Sequence, residues 1–243
     1  MQHGQKLAID GGPPVVQTPL PTGVSGPSVI GDEEIEAVSE LLRSQQLFRY
    51  QSSHVVEFER EAAAFLGVEH ALMVNSGTSA LVCALTGVGA GPGDEVIVPG
   101  YTYIATAAAV IATGAVPVIA EIDESFGLDP ADVERKITPY TKAVVPVHMR
   151  GVSARLDDLM AVARKHGLMV VEDCSQCVGG EYRGRRVGTY GDAAAWSLNY
   201  YKTISSGEGG LVFTNDRDIF ERASFASDPG FPMYRRRDSN PGH

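Results

Sequence analysis

The 243-residue sequence is poor in cysteine, with Cys83, Cys174 and Cys177 alone. An odd, sparse set offers no disulfide framework and favours a reducing, cytoplasmic setting. It is also short of positive charge, with 20 Lys and Arg against 30 Asp and Glu and a net charge of −10. That deficit argues against a nucleic-acid or anionic-membrane surface as the main role, because phosphate contacts need clustered cations. It leaves room for a local basic pocket that holds a small anion. Long apolar runs are missing too. Residues 104–112, the most apolar stretch, are too few and too Ala-rich to cross a bilayer. The amino-terminal MQHGQKLAIDGG lacks the basic-then-apolar order of a signal peptide. The sequence shows no internal repeat and no low-complexity segment.

What is present is an ordinary globular composition, 44% hydrophobic and 21% charged, with length for roughly one to two domains. Residues 1–30 are rich in Gly and Pro and read as an extended arm. Helical spacing of Ile35, Val38, Leu41 and Leu42 predicts a helix over 32–44. A second amphipathic helix is predicted over 55–66. Seven short apolar runs follow, at 71–75, 95–99, 116–123, 143–148, 168–173, 193–199 and 211–215. Most are continuous in Val, Ile and Ala, as strands buried on both faces are. Helical patterns at 79–88, 104–113, 130–136 and 156–166 separate several of them. The alternation predicts an α/β fold: a seven-stranded, mainly parallel sheet flanked by helices. Ligands in such sheets sit at the carboxyl ends of the strands.

Three strand ends carry candidate chemistry. After ALMVN, Ser76-Gly77-Thr78-Ser79 opens a helix. A glycine turn with free amides at a helix N-terminus favours an anion, and the Ser76 and Thr78 hydroxyls add donors. Taken alone, the pattern equally describes a Ser or Thr helix cap. The GVGAGPG run at 87–93 precedes a strand and reads as a turn, not a dinucleotide fingerprint. At the second end, LMVVEDCSQ places Glu172 and Asp173 on a strongly apolar strand. A buried carboxylate there needs a partner, and Gln176 can present its amide to the same pocket. The alternative is an Asp173 that caps the following turn. Cys174 and Cys177 form a CxxC without a second ligand pair, which reads as two small buried cysteines rather than zinc or redox chemistry. At the third end, Lys202 follows the AAAWSLNYY run and precedes the SGEGG turn. Desolvation favours the neutral amine that attacks carbonyls; a solvated turn lysine is the alternative. An anion cradle, an acid and a lysine at three strand ends are the parts a pyridoxal 5′-phosphate site requires.

Five segments in order now matter together: NSGTSAL, GDEVIVPGYTYIAT, ITPYTKAVVPVHMRG, VVEDCSQCVGGEYRGRRVGTYGD and SLNYYKTISSGEGGLVFTND. From about residue 30 to about 236 the chain resembles the DegT/DnrJ/EryC1/StrS family. These are pyridoxal-phosphate aminotransferases of keto-sugars and cyclitols, with the aspartate-aminotransferase-like fold type I. The resemblance implies that Lys202 is the Schiff-base lysine and proton shuttle, and that Asp173 keeps the pyridine nitrogen protonated. It implies that Gln176 lies near the ring hydroxyl, that Gly77, Thr78 and Ser197 bind the phosphate, and that Tyr103 stacks on the ring. Without the family, Tyr103 reads as a core aromatic. Ser76, His148 and Asn199 are placed along the pocket wall, with a buried, satisfied His148 as the equal alternative. No metal is implied. A related dehydratase is disfavoured, because those relatives carry histidine where Lys202 stands.

The resemblance further implies an amino donor, glutamate or glutamine, and a keto-sugar (nucleotide-linked) or keto-cyclitol acceptor. It implies a homodimer or a partner chain that completes the site. The expected organisation is an arm over 1–30, a cofactor-binding large domain over 31–225 and a polar tail over 226–243. Family members continue into a smaller carboxy-terminal domain, which is expected to be largely missing from this chain. The alternative expectation is therefore an incomplete or catalytically impaired cofactor-binding subunit of a split enzyme.

Overall fold

The computed structural model describes residues 6–17 and 26–230. Parts of the expected arm, and the expected tail from residue 231 on, lie outside the described residues. Two helices lead in: α1 (Asp32–Ser44) and α2 (His54–Leu66). Then follow β1 (His70–Val74), α3 (Gly77–Gly87), β2 (Glu95–Pro99), α4 (Ala105–Ala112), β3 (Val116–Ala120) and α5 (Pro130–Lys136). Next come β4 (Thr141–Val144), α6 (Leu156–His166) and β5 (Met169–Asp173), then a small hairpin of β6 (Glu181–Tyr182) and β7 (Arg185–Arg186). The described chain closes with β8 (Ala193–Ser197), β9 (Gly210–Thr214) and α7 (Arg217–Ser227).

The main sheet has seven strands in the order β1-β9-β8-β5-β4-β2-β3. The β5–β8, β4–β5, β2–β4 and β2–β3 pairs are parallel, whereas β9 runs antiparallel to both β1 and β8. The expected α/β class and mainly parallel sheet are therefore present. Strands alternate their side chains between faces, and both faces are covered. On one, Leu81 and Leu85 of α3 and Ile219 and Phe220 of α7 pack on Val96, Val98, Ala195 and Val212. On the other, Trp196, Leu211 and Phe213 meet Ala62 and Leu66 of α2, while Leu159 and Ala163 of α6 meet Ile97 and Val170.

Four details differ from the sequence reading. The run at 143–148 forms a ladder only to Val144, because Pro146 has no N–H to give; a single bridge, Val147 to Asp173, continues it. The run at 116–123 ends at Ala120 and is an edge strand, with Val116 and Ile119 half exposed rather than buried on both faces. Helix α7, unanticipated, is capped by Asp216, whose Oδ1 accepts the Ile219 N–H at 2.9 Å. The β6–β7 hairpin was also unanticipated. Its turn residues Arg183 and Gly184 both have positive φ, 48° and 78°, the geometry of a two-residue hairpin turn. Helix α1 matches its expected bounds but buries none of its residues. No helix among the described residues is long and apolar enough to cross a membrane.

Candidate active site

The carboxyl ends of β1, β5 and β8 enclose a cavity of about 510 Å³. Ser76, Gly77, Thr78, Tyr103, Asp173, Gln176, Ser197, Asn199 and Lys202 all line it. Every sequence-predicted site residue except His148 is therefore brought to one place. Lys202 is the one cation among the lining residues.

Backbone closeness builds the floor. The Ser76 hydroxyl caps α3 by accepting the Ser79 N–H at 3.0 Å. The amides of Gly77 and Thr78 precede the first intrahelical acceptor and point out of the helix. A Cβ on Gly77 would lie 2.5 Å from the Ser197 Cβ and 2.8 Å from its Oγ. One on Gly210, the first residue of β9, would collide with the Ser76 carbonyl and stand 2.8 Å from the Gly77 nitrogen. Two glycines thus let three chain segments converge under an open pair of amides. The Thr78 and Ser197 side chains stand beside them on the cavity wall. The helix dipole and these donors favour an anion without any side-chain cation.

Asp173 supplies the acid. It is buried, its Oδ1 accepts the Ser175 N–H at 3.0 Å, and its Oδ2 accepts the Thr106 hydroxyl at 2.9 Å. Thr106 in turn lies 2.8 Å from Thr102 Oγ1. A carboxylate only accepts, so Thr106 spends its single hydrogen on Asp173 and Thr102 donates to Thr106. Asp173 caps the following turn with one oxygen and also lines the cavity. Gln176 is oriented by the Arg150 N–H, which donates to its Oε1 at 3.2 Å. Its Nε2 donors are then left for the cavity.

Lys202 sits half-buried on the turn between β8 and β9, its N–H on the Asn199 carbonyl at 2.9 Å. Its Nζ makes no hydrogen bond or ion pair among the described residues. Asn199 is tied across the same turn, its Nδ2 donating to Glu208 Oε1 at 2.6 Å. Gly26, from the end of the arm, donates its N–H to the Lys202 carbonyl at 3.2 Å. Tyr103 is 66% exposed at the cavity edge, which removes the core-aromatic alternative.

The model of the DegT/DnrJ/EryC1/StrS aminotransferase family matches residues 28–242. The chain belongs to this family. It is 46% identical over 183 residues to GDP-perosamine synthase of Caulobacter vibrioides, covering 75% of this chain and 49% of that protein. It is 42% identical over 222 residues to L-glutamine:2-deoxy-scyllo-inosose aminotransferase of Streptoalloteichus tenebrarius, covering 89% and 51%. The crystal structure of 3-amino-5-hydroxybenzoic acid (AHBA) synthase superposes with a TM-score of 0.78 at 37% identity, over 81% of this chain and 52% of that one. The chain spans about half the length of these relatives.

The family's strand-end histidine needs a correction in this chain. His148 does not line the cavity; it is 0% exposed. Its Nδ1 accepts the Ala154 N–H at 3.1 Å, so the other nitrogen carries the proton. That Nε2–H donates to Glu172 Oε2 at 3.0 Å. Glu172, on the strand face opposite Asp173, also accepts the N–H groups of Gly188, Tyr190 and Gly191 at 2.7, 2.8 and 2.7 Å. The ligand-type atoms of His148, Glu172 and Cys174 lie within 4.8 Å of one another, but the first two are engaged in these hydrogen bonds. Burial, then the nearby Glu172 and Asp173 carboxylates, push the Cys174 thiol well above its usual range. It stays protonated and unreactive, as the reading of two small buried cysteines expects. The sequence reading missed Thr106, Thr102, Arg150 and Glu208. Only Glu208, within the glycine-rich turn after Lys202, carried a signal there.

Proposed function

We propose that this chain is the cofactor-bearing part of a pyridoxal-phosphate-dependent aminotransferase. It would move an amino group from glutamine or glutamate to the ketone of a sugar or cyclitol. The observation that carries the reading is the convergence, in one cavity, of a glycine-built amide cradle, a buried acid and a lysine whose amine has no partner among the described residues. The donor set fits the cofactor at each of its polar groups. The α3 amides, Thr78 and Ser197 would hold the phosphate. Asp173 would keep the proton on the ring nitrogen, Gln176 Nε2 would donate to the ring hydroxyl oxygen, and Tyr103 would cover the ring.

When bound, pyridoxal phosphate supplies an electron sink for the pair left at the donor's α-carbon. Lys202 Nζ would anchor the cofactor and, once released by the donor amine, take the α-proton. The Thr102–Thr106 relay fixes the Asp173 carboxylate, which would hold the ring nitrogen's proton. Cradle, acid and amine sit on separate strand ends, so their spacing is set by the sheet. The family relatives support both acceptor classes, since one is named for a GDP-sugar product and another for a cyclitol substrate.

The organisation that goes with this reading is an arm over 1–30, a cofactor domain over 31–225 and a polar tail over 226–243. Within it, α7 runs on to Ser227. A homodimer or a partner chain would complete the site, in a cytoplasmic setting that suits three unpaired, buried cysteines. The test is direct. Protein mixed with pyridoxal phosphate and desalted should stay yellow and convert glutamine or glutamate to its keto acid. Lys202→Ala should lose the colour and the conversion; wild-type conversion by that variant would overturn the assignment.

A further inference from the structure

Arg150, whose N–H holds the cavity-lining Gln176, has a backbone conformation that residues with side chains rarely adopt. Its φ is 51° and ψ 32°, in the left-handed region, and it is followed by Gly151 at φ 82°. A non-glycine residue there costs energy and persists only where its surroundings enforce it. The surroundings do so here. The root of the loop is His148, whose N–H donates to the Asp173 carbonyl at 3.0 Å. The same histidine is held by Glu172 from one side and by the Ala154 amide from the other. Arg150 N–H then donates to the cavity-lining Gln176, and Val152 N–H returns to the Met149 carbonyl at 2.9 Å. The buried histidine that the catalytic site does not use is thus the anchor of the loop that presents Arg150.

The side chain is held at one end only. Its Nε donates to the Tyr101 hydroxyl at 3.3 Å, and the Tyr101 ring packs on Phe126 with centroids 5.8 Å apart. The two terminal nitrogens have no partner among the described residues. Other arginines close to carboxylates, such as Arg49, Arg135 and Arg155, are engaged by them. A planar guanidinium with its outer fork open binds a carboxylate or phosphate through two parallel hydrogen bonds.

Building on the aminotransferase reading above, we propose that Arg150 is a substrate-binding residue, whose fork receives an oxyanion of the substrate beside Gln176. The oxyanion is the α-carboxylate of the amino donor or a phosphate of the acceptor. The strained, anchored loop holds the fork in place before the substrate arrives, so little freedom is lost on binding.

Isothermal titration of the purified chain at low salt tests this with L-glutamine and with uridine 5′-diphosphate as probes. Arg150→Met should weaken one of them by about tenfold or more, the cost of losing a charged hydrogen-bonding partner. Arg150→Lys should weaken it less, because a point charge keeps the attraction but not the fork. Loss confined to L-glutamine assigns the carboxylate; loss confined to uridine diphosphate assigns the phosphate. Equal affinity of wild type and Arg150→Met for both probes, or no binding of either, overturns the proposal. Melting temperature controls for folding. Pyridoxal-phosphate retention is measured in parallel and should be the same in wild type and Arg150→Met. Failure of the wild type to retain the cofactor counts against the aminotransferase reading and leaves the anion result standing.

Discussion

Glu172→Gln is the most demanding test of how the site is held. The carboxylate is fully buried and faces four N–H groups. Oε1 accepts from Tyr190 and Gly191, and Oε2 from Gly188 and His148. Glutamine has the same shape but replaces one acceptor with an NH₂ donor. Whichever way the amide is turned, two donors lose their acceptor and meet hydrogens instead. His148 cannot relieve this by moving its proton, because its Nδ1 is already occupied by the Ala154 N–H. An orphaned buried donor costs about 1–3 kcal/mol, and two are orphaned together here. We expect a loss of roughly 3–5 kcal/mol, against a total stability of about 5–15 kcal/mol for a typical domain. The single tryptophan, Trp196, is buried in the core beside β9, so its fluorescence reports urea unfolding cleanly. The denaturation midpoint should fall sharply with an unchanged slope. A midpoint shift worth less than about 1 kcal/mol would show that Glu172 is not the shared acceptor of these donors.

Three further substitutions probe neighbouring parts. Gly77→Ala should cost about 1–3 kcal/mol from overpacking against Ser197 and should release pyridoxal phosphate on desalting, both read on one preparation. Thr106→Val keeps the shape but removes the donor to Asp173; urea unfolding should show a loss of about 1–3 kcal/mol. Asp132 is held below the usual carboxylate range by the Glu121 amide first, then by Arg135 and Lys136, against the effect of burial. Its folded value is lower than its unfolded one, so its contribution is full above about pH 4 and fades as pH falls through the folded value. Asp132→Asn should therefore be less stable than wild type at pH 7, with the difference shrinking on acidification in parallel pH-dependent melts.

The fold was legible wherever local chemistry and burial agree. The bounds of α1, α5 and α6 follow their apolar spacing, and the starts and ends of β2 coincide with its apolar run. Reading failed where a single residue overrides a run. Pro146 breaks the ladder inside an unbroken apolar stretch, and the edge position of β3 exposes residues whose type suggests burial. The cradle, acid and lysine were legible because Gly, Ser, Asp and Lys are conspicuous at the ends of apolar strands. Thr106 was not, because one hydroxyl in the Ala-rich helix α4 looks like any small residue. Arg150 was not, because its importance lies in a backbone angle that composition does not reveal.

Strand direction was the other unreadable quantity, and it has the larger consequence for the site. In an all-parallel sheet, the chain leaving β8 would cross back over a face to the far edge before β9 began. Lys202 would then lie on a departing connection. Here β9 is antiparallel to both neighbours, so it starts at the edge where β1 and β8 end. The connection 198–209 stays at that edge from end to end. It is pinned by the Leu198 N–H on the Gly209 carbonyl at 2.8 Å and the Tyr200 N–H on the Gly207 carbonyl at 2.9 Å. The reversal also brings Gly210, the first residue of β9, under Ser76 and Gly77. One inverted strand therefore does two things at once: it returns the lysine to the cavity and it closes the floor of the cradle. A side chain at position 210 would separate β9 from the α3 amides and shift the lysine turn with it. Gly210→Ala should accordingly impair both cofactor retention and the reactivity of Lys202 toward pyridoxal phosphate, and an effect on only one of the two would show that the floor and the turn are not mechanically joined.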